Sequence, residues 1–343
     1  MKFVSEGDTR ASKRPTVKQV AHAAGVSVAT VSYVLSGRRG RSSGVSEGTR
    51  LRVTDAAAEL GYRPNRTARA MRTGRTGVIQ LALHMLSDPW SIAIAERVTR
   101  FASERGFSTF ILPDYDWRSA LERVECDAAY LAVDTDFTLS DERRALARFA
   151  QTGPRLIVYN GVLEPDGYDV IRFHDTAAAT IAMRHLLESH TQIACLAKVQ
   201  SRAGTVGPRV LAYRAELVRA GITALPQHMG WYSGTVASSF AAAVELLSTS
   251  PRPTAVYAET DFAGIAAIHA AHFLGLSVPA DVAIIGTGNA PDSEDVVPSL
   301  SSVGSAAFAD RLAEMLIARA SGADSSEGHL VELQLSLFHR NSS

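Results

Sequence analysis

The chain has 343 residues, with 35 Lys and Arg against 35 Asp and Glu, 46% hydrophobic residues and 20% charged ones. That length points to two or three domains with a sizeable core, and two cysteines, Cys126 and Cys195, are too few for a disulfide framework, while no Cys/His cluster has zinc spacing. The opening MKFVSEGDTRASKRP has no apolar secretory stretch, and the most apolar window, 255–276, is broken by Glu259, Asp261 and two histidines, so a secreted mini-protein and a membrane protein are excluded and the cytoplasm is the expected compartment.

The zero balance hides a division. Residues 1–77 carry 15 Lys/Arg and 5 Asp/Glu, which leaves +10, and residues 78–343 carry 20 against 30, which leaves −10. A basic head on an acidic body suggests that the head binds a polyanion. After a flexible tail over 1–15, Thr16 is a good N-cap and Gln19, three residues on, completes a capping-box pattern. Val17, Val20, Ala21 and Ala24 recur at helical spacing, and Gly25 stands where a left-handed residue ends a helix. Ser27 can cap a second helix with Val31, Val34 and Leu35 inward, and a third fits 46–60 with Leu51, Val53, Ala57 and Leu60 inward. Three short helices with a glycine in the first turn describe a helix-turn-helix unit over 16–62. Its second helix would lie in the major groove, offering Val28, Ala29, Ser32 and Tyr33 to base edges. The two apolar residues can touch a thymine methyl and the two hydroxyls can donate or accept. A three-helix module for protein contacts fits the same pattern, but the arginines around it favour DNA.

The residues PTVKQVAHAAGVSVATVSYVLSG, then VSEGTRLRVTDAAAELGYRPNRTARAMRTGRTG, closely resemble the N-terminal region of the LacI/GalR family of bacterial transcription regulators, from Thr16 to Gly77 with one insertion. The resemblance implies DNA contact by Thr16, Val17, Val28, Ala29, Ser32 and Tyr33, with Ser46 and Thr49 on the backbone. Tyr33 stands where many members carry a guanine-reading arginine, so bidentate guanine recognition is lost there. The loop 38–44 is about four residues longer than usual; its Arg38, Arg39 and Arg41 fit extra phosphate contacts better than a plain solvated loop. Residues 63–76 match the family's hinge helix, which orders on operator DNA against its dimer mate; alone, so short a helix is marginal. Met71 matches the apolar wedge inserted in the minor groove, with Asn65, Arg66 and Ala68 beside it. A plain basic linker is the competing reading.

In the body, 77–343, apolar runs at 78–83, 107–112, 128–133, 156–159, 193–197, 255–258 and 282–286 alternate with helical patterns, and the order restarts near Asp175. The fold class expected is α/β: an all-α helix-turn-helix domain followed by two lobes of doubly wound parallel sheet. By resemblance the body is similar to periplasmic sugar-binding proteins, with one lobe over about 77–172 and 301–322 and the other over about 173–300 and 323–343. The stretch 113–127 is about ten residues shorter than in typical members, so the helix after the second strand should be stunted.

Ligands of open α/β sheets bind at the carboxyl ends of the strands, here a crevice between lobes. The resemblance assigns effector contact to Arg209, whose planar fork suits two hydroxyls or a carboxylate. Trp90 ends the first strand's loop and fits a sugar ring, a purine or the core. Asn160 replaces a common family aspartate; Asp261 can be N-cap, crevice residue or both; and either Trp231 or Tyr232 can reach a ligand. Where the family usually has Gly-Phe-Asp-Asp the chain reads Gly286-Thr-Gly-Asn289, so Asn289 remains while a sugar-binding carboxylate is replaced by Gly288. The effector expected is a small polar metabolite, sugar-like first.

No Gly-x-Gly-x-x-Gly fingerprint, Walker loop, His-Glu-x-x-His or Gly-x-Ser-x-Gly elbow occurs, so no catalytic residue, metal or cofactor is expected. An exported solute-binding protein would share the body but not the basic head. The expected partners are double-stranded operator DNA, a small-molecule effector and a second copy of the chain, the ending at Ser343 leaving no room for a tetramerising helix.

Overall fold

A computed structural model describes residues 15–35, 45–63, 70–71, 73–83, 88–113, 116–132, 140–199, 206–324 and 327–343. The chain separates into two compact units, Met1–Arg75 and Thr76–Ser343.

In the first unit three helices form, α1 (Val17–Ala24), α2 (Val28–Leu35) and α3 (Glu47–Glu59). Each begins at a hydroxyl cap that satisfies otherwise orphaned backbone N–H groups. Thr16 Oγ1 accepts from Gln19 N while Gln19 Oε1 accepts from Thr16 N at 2.7 Å. Ser27 Oγ accepts from Thr30 N at 3.1 Å, and Ser46 Oγ from Thr49 N at 3.2 Å. Gly25 closes α1 with φ 63°, a left-handed conformation that lets Val26 N donate back to Ala21 O. Val20, Ala21, Ala24, Val31, Val34, Val53, Ala56 and Ala57 make the core. The inward placing of Leu51 and Leu60 does not hold: Leu51 is 55% exposed and Leu60 is exposed too. The buried stripe of α3 runs through Val53, Ala56 and Ala57, so Leu51 points to the opposite side and Leu60, as C-cap, lies beyond the core.

The second unit carries two sheets of like topology. The first runs through β1 (Val78–Ala82), α4 (Pro89–Glu104), β2 (Ser108–Leu112), α5 (Trp117–Arg123), β3 (Ala128–Ala132), α6 (Ser140–Thr152), β4 (Arg155–Tyr159) and β5 (Asp169–Arg172). The second runs through α7 (Asp175–Leu187), β6 (Ile193–Lys198), α8 (Pro208–Arg219), β7 (Met229–Tyr232), α9 (Val236–Leu247), β8 (Ala255–Ala258), α10 (Asp261–Phe273), β9 (Ala283–Gly288), α11 (Asp292–Asp295) and β10 (Ser301–Gly304). The chain then returns to the first lobe as α12 (Phe308–Ser321) and β11 (Leu330–Glu332), and crosses again to end in β12 (Ser336–Phe338). The strand orders are β2-β1-β3-β4-β5-β11 and β7-β6-β8-β9-β10-β12. All pairs are parallel except β10 with β12, where Val303 faces Leu337. Helices cover both faces of each sheet, which is why central strands such as Ala283–Gly288 bury nearly every residue. As the shortened sequence implies, α5 has only seven residues.

The lobe limits shift from those expected. Ser301–Gly304 pairs with β9 in the second sheet, and Leu330–Glu332 pairs with β5 in the first. Apolar patterning misses β10 because its buried serines are held by hydrogen bonds: Ser302 Oγ donates to Asp261 Oδ1 at 2.6 Å and Ser301 Oγ accepts from Arg340 N at 2.9 Å. It misses β5 because Asp169 and Arg172 are charged; inside the fold Asp169 pairs with Arg319, and Arg172 with Glu332 and Glu164. The C-terminus is tied in as well, with Ser342 Oγ donating to Ile284 O at 2.6 Å. Among the described residues no helix is long and apolar enough to cross a membrane.

Candidate functional site

The head presents a usable surface. With Val31 and Val34 of α2 in the core, Val28, Ala29 and Ser32 are exposed and Tyr33 is half-exposed on the other side of the same helix. Thr16 is exposed with its side chain in the capping box, Val17 is half-buried, and Ser46 and Thr49 meet through their hydroxyls at 3.0 Å at the start of α3. Arg52 Nε donates to Ala24 O at 3.4 Å, stitching α3 to the end of α1. Met71 is 85% exposed, an apolar side chain with nothing to cover it among the described residues of its own unit. Asn65, Arg66, Ala68 and the arginines of the 38–44 loop lie outside the described residues.

In the second unit, the elements that leave the carboxyl ends of the strands bring a set of side chains together between the lobes. On the first lobe, Asp88 caps α4 by accepting from Trp90 N at 3.2 Å. Trp90 joins Tyr159, Phe173 and Phe308 in an aromatic wall, with ring centroids 5.5 Å from Trp90 to Tyr159, 4.9 Å from Trp90 to Phe308 and 5.5 Å from Tyr159 to Phe173. On the second lobe, Arg209 Nε and Nη2 donate to Asp175 Oδ1 at 3.0 and 2.8 Å, and its Nη1 donates to the Glu259 carbonyl at 2.6 Å. Tyr159 crosses from the first lobe to lie near Arg209 and Asp175. Glu259 is buried, accepts from Lys198 N at 2.8 Å, and has its carboxyl pushed upward by burial. Asp261 is raised for the same reason, against bonds from Ser302 and Ala290 N that favour its charged form.

Three of the sequence assignments change partner. Tyr159 faces the crevice, and its neighbour Asn160 is buried, its Oδ1 accepting from Val162 N and Leu163 N at 2.8 and 2.9 Å and holding the loop after β4. Trp231 is 40% exposed, while its neighbour Tyr232 is buried with its hydroxyl 3.1 Å from Thr260 Oγ1 and feels the charges of Glu259, Asp88 and Arg209. Strand alternation sends these neighbours to opposite faces. Asn289 takes a positive φ of 54° and its Oδ1 accepts from Arg340 Nη2 at 2.7 Å, which makes it a loop anchor. Asp261 is not an N-cap, since Thr260 fills that place by accepting from Ala263 N. Gly288 has φ 133°, and a Cβ there would lie 3.2 Å from Asp261 Oδ2 and 3.7 Å from Trp90 Cδ1. The family aspartate is thus replaced by a residue whose backbone favours glycine and over which the Trp90 ring sits. Asp88, Asp175, Glu259 and Tyr159 were missed from sequence as crevice residues.

Asp88 gives a pH-dependent prediction. Burial first, and then the charge of Asp261, push its carboxyl from the usual 3.8 to about 6. A raised acid favours the protonated form in the fold, so the cost of its charge is absent below about pH 4 and complete above about pH 6. Asp88→Asn keeps a good N-cap and removes the charge. The variant should therefore be more stable than the parent by about 3 kcal/mol at pH 7.5, a gain that fades as the pH falls toward 4. Urea unfolding at both pH values checks this.

Comparisons with known proteins bear on the family and the fold. A model of the bacterial regulatory proteins of the lacI family matches residues 16–65, and one of periplasmic binding protein-like domains matches residues 183–343. The chain is 32% identical to the HTH-type transcriptional regulator CelR of Thermobifida fusca, over 96% of this chain and 98% of that one. It is 28% identical to the HTH-type transcriptional repressor PurR of Pectobacterium carotovorum subsp. carotovorum, over 95% and 96% of the two chains. Among solved structures, the CelR–cellobiose complex superposes with a TM-score of 0.62 at 28% identity, covering 96% of this chain and 100% of that one. The lac repressor dimer bound to operator and the anti-inducer ONPF superposes with a TM-score of 0.71 at 24% identity over 96% and 99% of the chains, which supports the fold. These relatives are regulators rather than enzymes. A capped helix-turn-helix head joined to a two-lobed effector-binding body, shared almost end to end with CelR, places this chain in the lacI family of bacterial DNA-binding transcriptional regulators.

Proposed function

We propose that the protein is a cytoplasmic repressor that binds a near-palindromic operator as a homodimer and is controlled by a small polar effector, sugar-like first, held between the lobes of its body. A twofold protein places two copies of the head on two half-sites, so the DNA must repeat with the protein's symmetry. The observation that carries this reading is the face of α2: Val28, Ala29 and Ser32 stand clear of the core at the start of the helix that enters the major groove, with Tyr33 beside them. Thr16, Val17, Ser46 and Thr49 would then fix the head on the backbone, with Asn65, Arg66 and Ala68 beside the Met71 wedge. In the body, Trp90, Arg209 and Asp261, with Asn160, Trp231 and Asn289 as outer or supporting groups, would form the effector site together with Tyr159 and Tyr232. The aromatic wall gives a second reading of the ligand, a planar heterocycle stacked on Trp90. The effector acts by favouring one arrangement of the lobes through differential affinity.

Selection of binding sites from random duplex DNA should yield a symmetric consensus, and metabolites should then shift affinity for it; enrichment of no sequence over bulk competitor would overturn the reading. Met71→Ala should weaken binding to the selected site by about 2 kcal/mol, near the unstacking energy its wedge offsets, and leave non-specific binding nearly unchanged. Equal losses on both DNAs, measured by titration at one salt concentration, would make 63–76 a plain linker.

A further inference from the structure

Among the described residues, the charges that line the crevice do not balance. Asp88 contributes a carboxylate from the first lobe, and Asp175, Glu259 and Asp261 contribute three from the second. Among the described residues, the cations that face them are Arg209 and Lys198, with Arg340 behind Asp261. Arg340 already donates to Glu294 and Asn289, and Arg209 is held by Asp175 and the Glu259 carbonyl. Asp88 and Asp261 stand on opposite lobes and repel each other. Bringing the lobes together around a neutral molecule leaves that repulsion in a dry site, where it is strongest. A positive charge between them converts it into an attraction for both lobes at once, and so gives the ligand the preference for one arrangement that control requires.

Two further features point to a ligand at the same place. Tyr130 lies in β3 with no exposure, and its hydroxyl, which feels the charge of Asp88, has no hydrogen-bond partner among the described residues. A buried hydroxyl without a partner is costly, and a shift that opens it to the crevice would let a ligand amine or hydroxyl satisfy it. The aromatic wall of Trp90, Tyr159 and Phe308 adjoins the carboxylates, with Tyr159 and Phe308 centroids 5.4 Å apart. Aromatic faces beside carboxylates are the chemistry that recognises ammonium groups.

We infer that the effector is a cation, a small ring compound carrying a protonated amine such as an amino sugar, with its ammonium between Asp88 and the Glu259–Asp261 side and its ring against Trp90 and Tyr159. This rests on the reading of the crevice as the effector site. The purified full chain is melted with matched probes at equal ionic strength: glucosamine, cyclohexylamine and tetramethylammonium as cations, glucose and cyclohexanol as neutral partners, and glucuronate as an anion. At least one cation should raise the melting temperature saturably while its neutral partner does not. The apparent affinity of that cation should fall by about tenfold or more in Asp88→Asn and in Glu259→Gln, the loss typical of a charge-assisted contact. Glu245→Gln, a change on the exposed outer side of α9, should leave it unaltered. A response to no cation in the panel, or one confined to glucose or glucuronate and lost in Arg209→Met, would overturn the charge assignment and keep the crevice as the site. A response undiminished in Asp88→Asn, Glu259→Gln and Arg209→Met would overturn both.

Discussion

Arg319→Ala should lower the unfolding free energy of the body by about 3–5 kcal/mol, the cost of removing one partner from a buried ion pair. Arg319 is 6% exposed and Asp169 2% exposed, so neither charge has water to fall back on. Arg319 Nε donates to Asp169 Oδ2 at 2.7 Å and Nη2 to Oδ1, a bidentate pair between α12 and the start of β5. The same guanidinium reaches Asp324 O at 3.3 Å and Glu327 O at 3.4 Å, and Asp169 Oδ1 also accepts from His329 N at 2.7 Å. The pair therefore fixes the return of the chain from α12 into β11. Alanine leaves a buried carboxylate with one backbone donor, and two carbonyl groups without their cation. Denaturant titration measures the loss. The double variant Arg319→Met, Asp169→Leu should regain most of it, because replacing both members by apolar groups of similar volume removes the uncompensated charge. A single-variant loss below about 1 kcal/mol would show that water enters and solvates Asp169.

Arg209→Ala should raise the effector concentration for half-maximal change in operator binding by about a hundredfold or more, since it removes a buried, charge-assisted fork. The guanidinium makes two bonds to Asp175 and one to the Glu259 carbonyl, and lies near the Tyr159 hydroxyl of the other lobe. It thus sets the positions of groups on both walls of the crevice. Arg209→Lys restores the charge but not the planar fork, and a compact ammonium cannot serve Asp175 twice and Glu259 once. The lysine variant should recover less than about a tenth of the lost affinity, as expected where bidentate geometry rather than charge decides. Titration with the effector obtained from the metabolite screen, followed by operator retention, gives both numbers. Full recovery by lysine would mean that Arg209 acts as a point charge.

The head was legible almost in full because its information is local. Thr16 with Gln19, Gly25, Ser27 and Ser46 sit within four residues of the groups they cap, and the structure finds each of those bonds. The crevice was legible only by region. The ends of the apolar runs pointed to Trp90 and Asp261 and the resemblance to Arg209, while which of Tyr159 and Asn160, or Tyr232 and Trp231, faces the crevice turns on strand register, which shifts a side chain to the other face with each residue. Asp175 and Arg209 are 34 residues apart and Ser302 and Asp261 are 41 apart, so no window of sequence contains both partners. The same distance hid β5 and β10: Asp169, Arg172 and the serines at 301 and 302 look like loop residues until their remote partners are known. Composition records what a residue is, and these strands depend on what it meets.

The chain passes from one lobe to the other three times, after β5, after β10 and after β11. A protease that nicks any one of these passages leaves the halves joined by the other two, so the cut protein would run as two fragments when denatured and still migrate as one particle when native. Three parallel tethers also forbid a free swivel. Any turning of one lobe against the other must bend all three connections at once, a tighter restraint than one linker would impose.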